Sequence, residues 1–310
     1  MGQGAMELRP YMGGDMDAAH CKSVIEACFP LFQVQAIAFL AEGWDSRVWE
    51  VNGSHVFRFP KRSDIQAGLR KEIRLLPVLA PALPLAVPRF DYVWQRGPQY
   101  EGLFVGYRKI PGVPMAAQHL SYSGVERPAG QLGRFLTALH RFPTALAVAA
   151  GLDPDGLKAW RQYYEGLYQS VQQRVSPLLE AGCRQPMSEA WDAFLQDKSN
   201  FRFTPALIHR DLSSEHILFE AEPGEISGVI DWEDAAIGDP AFDFAGLLDY
   251  GDAFVAQVLE AYQGPAERKA LKRVRFYKAI APCYEVLFGL DAGLAEHVTA
   301  GLAGLQAIWR

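Results

Sequence analysis

LIHRDLSSEHILFE, Leu207–Glu220, sets a histidine, an arginine and an aspartate directly after a short apolar run, with a second histidine five positions beyond the aspartate. The stretch reads in two ways. It is either a strand end and turn whose polar residues face water, or an acid and an imidazole delivered together for chemistry, and only partners elsewhere in the chain decide. A second aspartate follows twenty residues on. In GEISGVIDWEDAAIGDPAFDFAGLL, Gly224–Leu248, the apolar pair Val229 and Ile230 carries Asp231 into a polar turn. Two hairpin-linked strands, each ending in an aspartate, can aim both carboxylates at one point, and the neutral imidazole of His216 adds a nitrogen ligand for a divalent ion. A general base, a metal site and a cation to grip phosphates are the parts phosphoryl transfer requires.

The cation has to come from the first hundred residues. There, VQAIAFLAEGWDSRVWEVNGSHVFRFPK, Val34–Lys61, contains two apolar runs around Gly43, a hairpin signal at Asn52-Gly53 and an alternating strand from His55 to Phe59. SDIQAGLRKEIRLLPVLA, Ser63–Ala80, opens with the cap candidates Ser63 and Asp64. It repeats Ile65, Leu69, Ile73 and Leu76 at helical spacing until Pro77. YEGLFVGYRKIPG adds a strand that stops at Pro111-Gly112. From there to about residue 200, AGQLGRFLTALHRF and DGLKAWRQYYEGLYQSVQQRVSPLLEAG are helical in period, as are DAFVAQVLEAYQG and the segment after Glu267. The pattern predicts an α+β, bilobal protein. A small antiparallel-sheet lobe spans residues 1–110, with a hinge near 107–112, and a larger, mostly helical lobe spans 111–310.

Composition narrows the class. The 310 residues are 49% hydrophobic and 21% charged, as in ordinary globular proteins. Cys21, Cys28, Cys183 and Cys283 form no CxxC pair, so neither a zinc site nor a disulfide framework is indicated, and a reducing cytoplasm is expected. The first residues lack the apolar core of a signal peptide, and no run approaches the roughly 18 apolar residues of a membrane helix. A soluble cytoplasmic monomer without membrane or nucleic-acid partners follows, since the net charge is −6. Residues 1–110 hold 13 of the 30 Lys and Arg against 11 of the 36 Asp and Glu, so the rest carries an excess of −8. That excess suits a cationic small-molecule substrate, and equally a solvated acidic surface.

HRDLSSEHILF, IDWEDAAIGDPAFDF and the pair VFRFPK with RKEI together resemble the aminoglycoside phosphotransferase superfamily, kinases of antibiotics and small metabolites with a protein-kinase-like fold. The 2''-phosphotransferases look most similar, and the likeness runs from about Phe39 to the C-terminal helices. It implies ATP or GTP as donor with Mg2+, Asp211 as catalytic base, and His216 and Asp231 as metal ligands. Arg58 stands where the family usually has a phosphate-gripping lysine, with Glu72 as its helix partner. The plain alternative is a surface ion pair, and Lys61 is a competing cation, expected to face solvent. Gly43 to Ser46 resembles the nucleotide flap only by position, and an ordinary hairpin turn explains it as well. The nucleotide base would meet backbone near Tyr107 to Ile110, including Tyr107 and Lys109. His209 is expected to buttress the loop, and Asp239 and Asp243 to cap helices and fix it.

The acceptor is written less clearly. A polycation asks for carboxylates, and Glu233, Asp234, Glu285, Asp291 and Glu296 can supply them; solvated helix faces explain the same residues. Trp160, Tyr163, Tyr164 and Tyr168 can offer aromatic faces or simply pack a core. The expected function is transfer of the γ-phosphoryl group to an aminoglycoside hydroxyl, giving antibiotic resistance. The alternatives are the same chemistry on a macrolide, an amino-alcohol or a sugar metabolite, or a nucleotide-binding pseudokinase.

Overall fold

Strand His55–Pro60 has Val56, Phe57, Arg58 and Phe59 all buried, so both faces of its sheet are covered. The computed structural model describes residues 16–43, 46–61, 65–115, 125–154, 156–265 and 270–310. The chain divides into two compact units. One holds the described residues up to Pro114 together with Ile217–Glu233, and the other holds Met115–His216 and Asp234–Arg310.

The first unit begins with α1 (Ala18–Cys28), β1 (Ile37–Glu42), β2 (Ser46–Val51) and β3 (His55–Pro60). It continues through α2 (Gln66–Leu79), β4 (Phe90–Trp94), β5 (Phe104–Arg108) and the short β6 (Val113–Pro114). The first five strands form one antiparallel sheet in the order β1-β2-β3-β5-β4. Asn52 and Gly53 take φ of 56° and 63°, the doubly left-handed turn that the Asn-Gly signal predicts. Asn52 Oδ1 then accepts the N–H groups of Gln35 and Ala36 at 2.8 and 3.1 Å, tying the turn to the chain before β1. Period-two alternation sends Phe57 and Phe59 to the α1 face, where they join Cys21, Ile25, Trp49 and Phe104. Phe59 stacks on Phe104 at 4.5 Å. Arg58 is thereby turned to the other face. On that side α2 presents Leu69 to Leu103 and Val105, and Glu72 lies on the buried stripe of the same helix.

Helix α2 runs to Leu79 rather than stopping at Pro77. Proline removes one backbone hydrogen bond and crowds the carbonyl one turn back, but Leu75, Leu76 and Leu79 are buried, and apolar packing carries the last turn past it. The cap candidates Ser63 and Asp64 lie outside the described residues.

The second unit opens with α3 (Glu126–His140), α4 (Thr144–Ala149), α5 (Gly156–Ser170), α6 (Ala181–Gln196) and β7 (Ala206–Ile208). The periodic segment 155–182 is not one helix: α5 passes into a five-residue π-helical turn at Val171–Val175 and a short 3-10 turn at Ser176–Leu178. The chain then returns to the first unit with β8 (Ile217–Glu220) and β9 (Glu225–Val229), which extend β6 into the sheet β6-β8-β9. It ends in the second unit with β10 (Ala236–Gly238), α7 (Asp252–Ala261), α8 (Leu271–Ala292) and α9 (Ala295–Trp309). An aromatic core joins α5, α6 and α8, in which Phe194 stacks on Phe276 at 3.7 Å and Tyr168 on Trp191 at 5.1 Å. Helices α8 and α9 approach closely because Gly301 has no Cβ, which would stand 2.9 Å from Pro282 O. No helix among the described residues is long and apolar enough to cross a membrane.

Strand pairing differs from the sequence expectation in one respect. The strand before Asp211, β7, pairs with β10, whereas the strand before Asp231, β9, pairs with β8. The two aspartates therefore leave different strand pairs. Leu207 and Ile208 are fully buried and opposite Ile237 and Ala236, so the pairing is set by contacts made after the chain has left and returned, not by the nearest strand in sequence.

Candidate active site

In the first unit the site is built around Arg58. Its side chain is 7% exposed and that of Glu72 not at all, which excludes the surface-pair reading. The guanidinium donates to both Glu72 oxygens at 3.1 and 3.0 Å, and its other terminal nitrogen donates to Asp231 and Glu233 at 3.3 Å each. Burial alone would lower the guanidinium pKa, but Glu72, Asp231 and Glu233 outweigh it and hold Arg58 well above its ordinary value. Burial pushes the Glu72 carboxyl up, against the Arg58 charge and the Trp232 N–H, which donates to Oε1 at 2.7 Å. Three hydrogen bonds from two donor nitrogens satisfy the carboxylate form. Asp231 stands at φ 66°, a left-handed conformation that costs a non-glycine residue about 1 kcal/mol or more and bends the chain sharply after β9. Its side chain remains 34% exposed.

Of the other sequence candidates of this unit, Tyr107 lies within electrostatic reach of Arg58. Tyr107 is buried on β5, and burial pushes its hydroxyl up to about 12. Lys109 donates its N–H to Ser54 O at 2.9 Å and pairs with Glu50 through its side chain. At the flap, Gly43 N–H donates to Ser46 O at 3.0 Å, which closes the turn. Trp44 and Asp45 lie outside the described residues. Ser46 is buried, and among the described residues its Oγ has no hydrogen-bond partner. Lys61 is not the solvent-facing cation expected of it: its side chain is 19% exposed and reaches Glu42 and Gly43 O, both at 2.7 Å.

In the second unit the loop after β7 is held from behind. The Asp243 carboxylate accepts the N–H groups of His209 and Arg210 at 2.9 and 2.8 Å, and His140 Nε2 lies 3.1 Å from the same group. His140 Nδ1 meets the Tyr262 hydroxyl at 2.8 Å. His209 is fully buried and its Nδ1 accepts the Asp211 N–H at 3.3 Å, the buttressing role its position suggested. Asp211, so fixed at the backbone, keeps a side chain that is 50% exposed. His216 Nδ1 meets Asp211 O at 2.8 Å and Asp211 Oδ2 at 3.3 Å. A proton on Nδ1 satisfies the carbonyl and places the ring's lone pair on Nε2, the arrangement of a metal-ligating imidazole. Asp239 caps the turn at Pro240–Phe244 through Ala241 N–H and also takes Arg273 and Tyr277.

The acidic candidates for the acceptor separate. Glu233 is drawn to Arg58, Glu285 lies 3.4 Å from His297, and Asp291 lies 2.5 Å from Arg174. Asp234 is within electrostatic reach of Arg210, and Glu296 is exposed in the first turn of α9. Of the aromatic candidates, Trp160, Tyr164 and Tyr168 belong to the core, while Tyr163 is 38% exposed. The sequence reading missed His140 and Tyr262, which sit 103 and 19 residues from Asp243. An ordinary helical stripe and a short loop carry them, and neither gives a local signal.

Comparison with known proteins bears on the family and the fold. Residues 36–277 match the pattern of the phosphotransferase enzyme family. Viomycin phosphotransferase of Streptomyces vinaceus is 29% identical over 205 residues, covering 64% of this chain and 68% of the relative. The GDP and kanamycin complex of APH(2")-IIia superposes with a TM-score of 0.85 at 31% identity, covering 93% of this chain and 97% of the other. Macrolide 2'-phosphotransferase type I shares the fold at a TM-score of 0.77 and 24% identity, over 94% and 98% of the two chains. With a kinase-like fold and a family match over more than three quarters of its length, this chain belongs to the phosphotransferase enzyme family.

Proposed function

We propose that the protein transfers the γ-phosphoryl group of ATP or GTP to a hydroxyl of an aminoglycoside antibiotic, giving resistance. The observation that carries this reading is Arg58, a buried cation clamped by Glu72 and extended to Asp231. A guanidinium so held can take phosphate oxygens with fixed geometry, the task usually given to a lysine. The buried, unpartnered Ser46 Oγ fits a phosphate oxygen beneath the flap. Likeness to a kanamycin-bound relative supports the acceptor class.

Within the first unit Asp231 offers the hard carboxylate oxygens that magnesium prefers, and within the second His216, taken by itself, offers a ring nitrogen; no group of three or more His, Cys, Asp or Glu among the described residues forms a protein-only cage. Magnesium held through one or two carboxylates plus substrate phosphates needs no such cage. When bound, the ion neutralises charge on the β- and γ-phosphates. Asp211 orients the acceptor hydroxyl and removes its proton as the oxygen attacks, and its half-exposed carboxylate is accessible for this. Asp243 holds the backbone of His209 and Arg210, and the His209 ring holds that of Asp211, so that the carboxylate is positioned before substrate arrives.

A coupled nucleotide-consumption assay with aminoglycosides, a macrolide, viomycin and choline, run with each donor, tests the reading. Stimulation by aminoglycosides supports it. Stimulation by viomycin alone would favour a second reading, to which the 29% identity with viomycin phosphotransferase points.

A further inference from the structure

Arg210 precedes the proposed base, Asp211, and nothing in the phosphate or metal chemistry requires an arginine there. Its backbone stands at φ 72°, in the left-handed region that a residue with a Cβ enters only at a cost, and its N–H is fixed on Asp243 at 2.8 Å. The side chain lies over the Tyr163 ring with Cζ 4.9 Å from the centroid. Tyr163 is 38% exposed and is held edge-on by Tyr164 at 5.3 Å. Asp234 and Tyr284 are within electrostatic reach of the guanidinium. Yet among the described residues that guanidinium makes no hydrogen bond or ion pair. A half-buried group with five N–H donors and no protein acceptor of its own meets water in the free protein and is available to a ligand's oxygen atoms.

We propose that Arg210 is a specificity-determining residue on the acceptor side of the catalytic loop, where its guanidinium, over the Tyr163 ring, takes uncharged oxygen atoms of the acceptor and repels amines from Asp234. The argument rests on the reading that the acceptor hydroxyl is brought to Asp211. Guanidinium donates and never accepts, so hydroxyl, ether or carbonyl oxygens satisfy it and ammonium groups do not. Its fixed positive charge also offsets the Asp234 carboxylate one loop away, which a polyamine would otherwise use. The portion of the acceptor next to the phosphorylated hydroxyl is therefore oxygen-bearing and uncharged, and its amines lie elsewhere.

Arg210→Gly is the test, because glycine accepts the left-handed backbone without strain and the loop should hold its fold. Kanamycin and a macrolide are compared through kcat/KM and through calorimetric binding. In Arg210→Gly the ratio of kanamycin to macrolide kcat/KM should rise about tenfold, chiefly through KM, the signature of altered ground-state binding. Tyr163→Leu, which removes only the stack, should shift the ratio in the same direction by a smaller factor, and Arg210→Lys should restore most of the wild-type ratio by returning the charge. A ratio within about twofold of wild type, or an equal fall in kcat for both acceptors, overturns the proposal. Should the wild-type enzyme phosphorylate no aminoglycoside, the aminoglycoside reading fails separately. Kanamycin binding by calorimetry then decides: about tenfold tighter in Arg210→Gly supports the role of Arg210, and equal or absent binding in both proteins overturns it.

Discussion

Arg58 is the buried partner of Glu72 and, in the proposed reaction, also the cation that meets phosphate. Replacing it by alanine leaves the Glu72 charge buried without its partner, a loss of about 3–5 kcal/mol by analogy with broken buried pairs. The expected outcome is a protein that melts well below wild type, measured by calorimetry. Arg58→Lys keeps the charge but not the fork. It should remain folded and raise nucleotide KM by about tenfold, since lysine cannot hold both Glu72 oxygens and a phosphate with fixed geometry. An unchanged nucleotide KM in that variant would remove Arg58 from the phosphate site. The pairing was legible in the sequence because alternation along Val56–Phe59 placed Arg58 and the resemblance carried by VFRFPK and RKEI implied Glu72 as its helix partner. The contact of Glu233 with Arg58 was not, since WED gives Glu233 and Asp234 the same reading in sequence and only the folded first unit brings Glu233 to 3.3 Å from Arg58.

The loop between β7 and β8 is defined by what lies behind it. Asp243 accepts two consecutive backbone N–H groups and faces His140, all inside the second unit. Asp243→Ala leaves these donors buried and unsatisfied, at about 1–3 kcal/mol for each lost partner. It should lower both the melting temperature and kcat. Asp243→Asn keeps one carbonyl acceptor and should lie between, and equal stability of the three proteins would contradict the clamp. Local spacing made the loop itself readable: His209, Asp211 and His216 fall within eight residues, and an Asn-Gly turn announces the β2–β3 hairpin. Partner strands were less readable, because the β7–β10 pairing joins segments almost thirty residues apart and rests on buried side chains rather than on a turn. Periodicity also could not tell Tyr163 from Trp160, Tyr164 and Tyr168. All four share one helix, and only packing decides which faces solvent.

For the chain as a whole, the acidic excess of −8 beyond residue 110 predicts that the KM of a polycationic acceptor rises with salt, because the screening length falls to about 8 Å at physiological ionic strength. Nucleotide KM should respond less, since buried Arg58 is screened little. Steady-state kinetics at several salt concentrations checks both, and equal slopes would count against an acidic acceptor surface. The central claim is that Asp211 activates an acceptor hydroxyl for phosphoryl transfer. Phosphorus NMR of a kanamycin reaction, run with wild type and with Asp211→Asn, tests it most directly. The account predicts a phosphate monoester on the acceptor with wild type, and formation slower by about two orders of magnitude or more with Asp211→Asn at nucleotide affinity within a few-fold. A monoester formed by Asp211→Asn at the wild-type rate, or inorganic phosphate as the only product of the wild-type reaction, would contradict it.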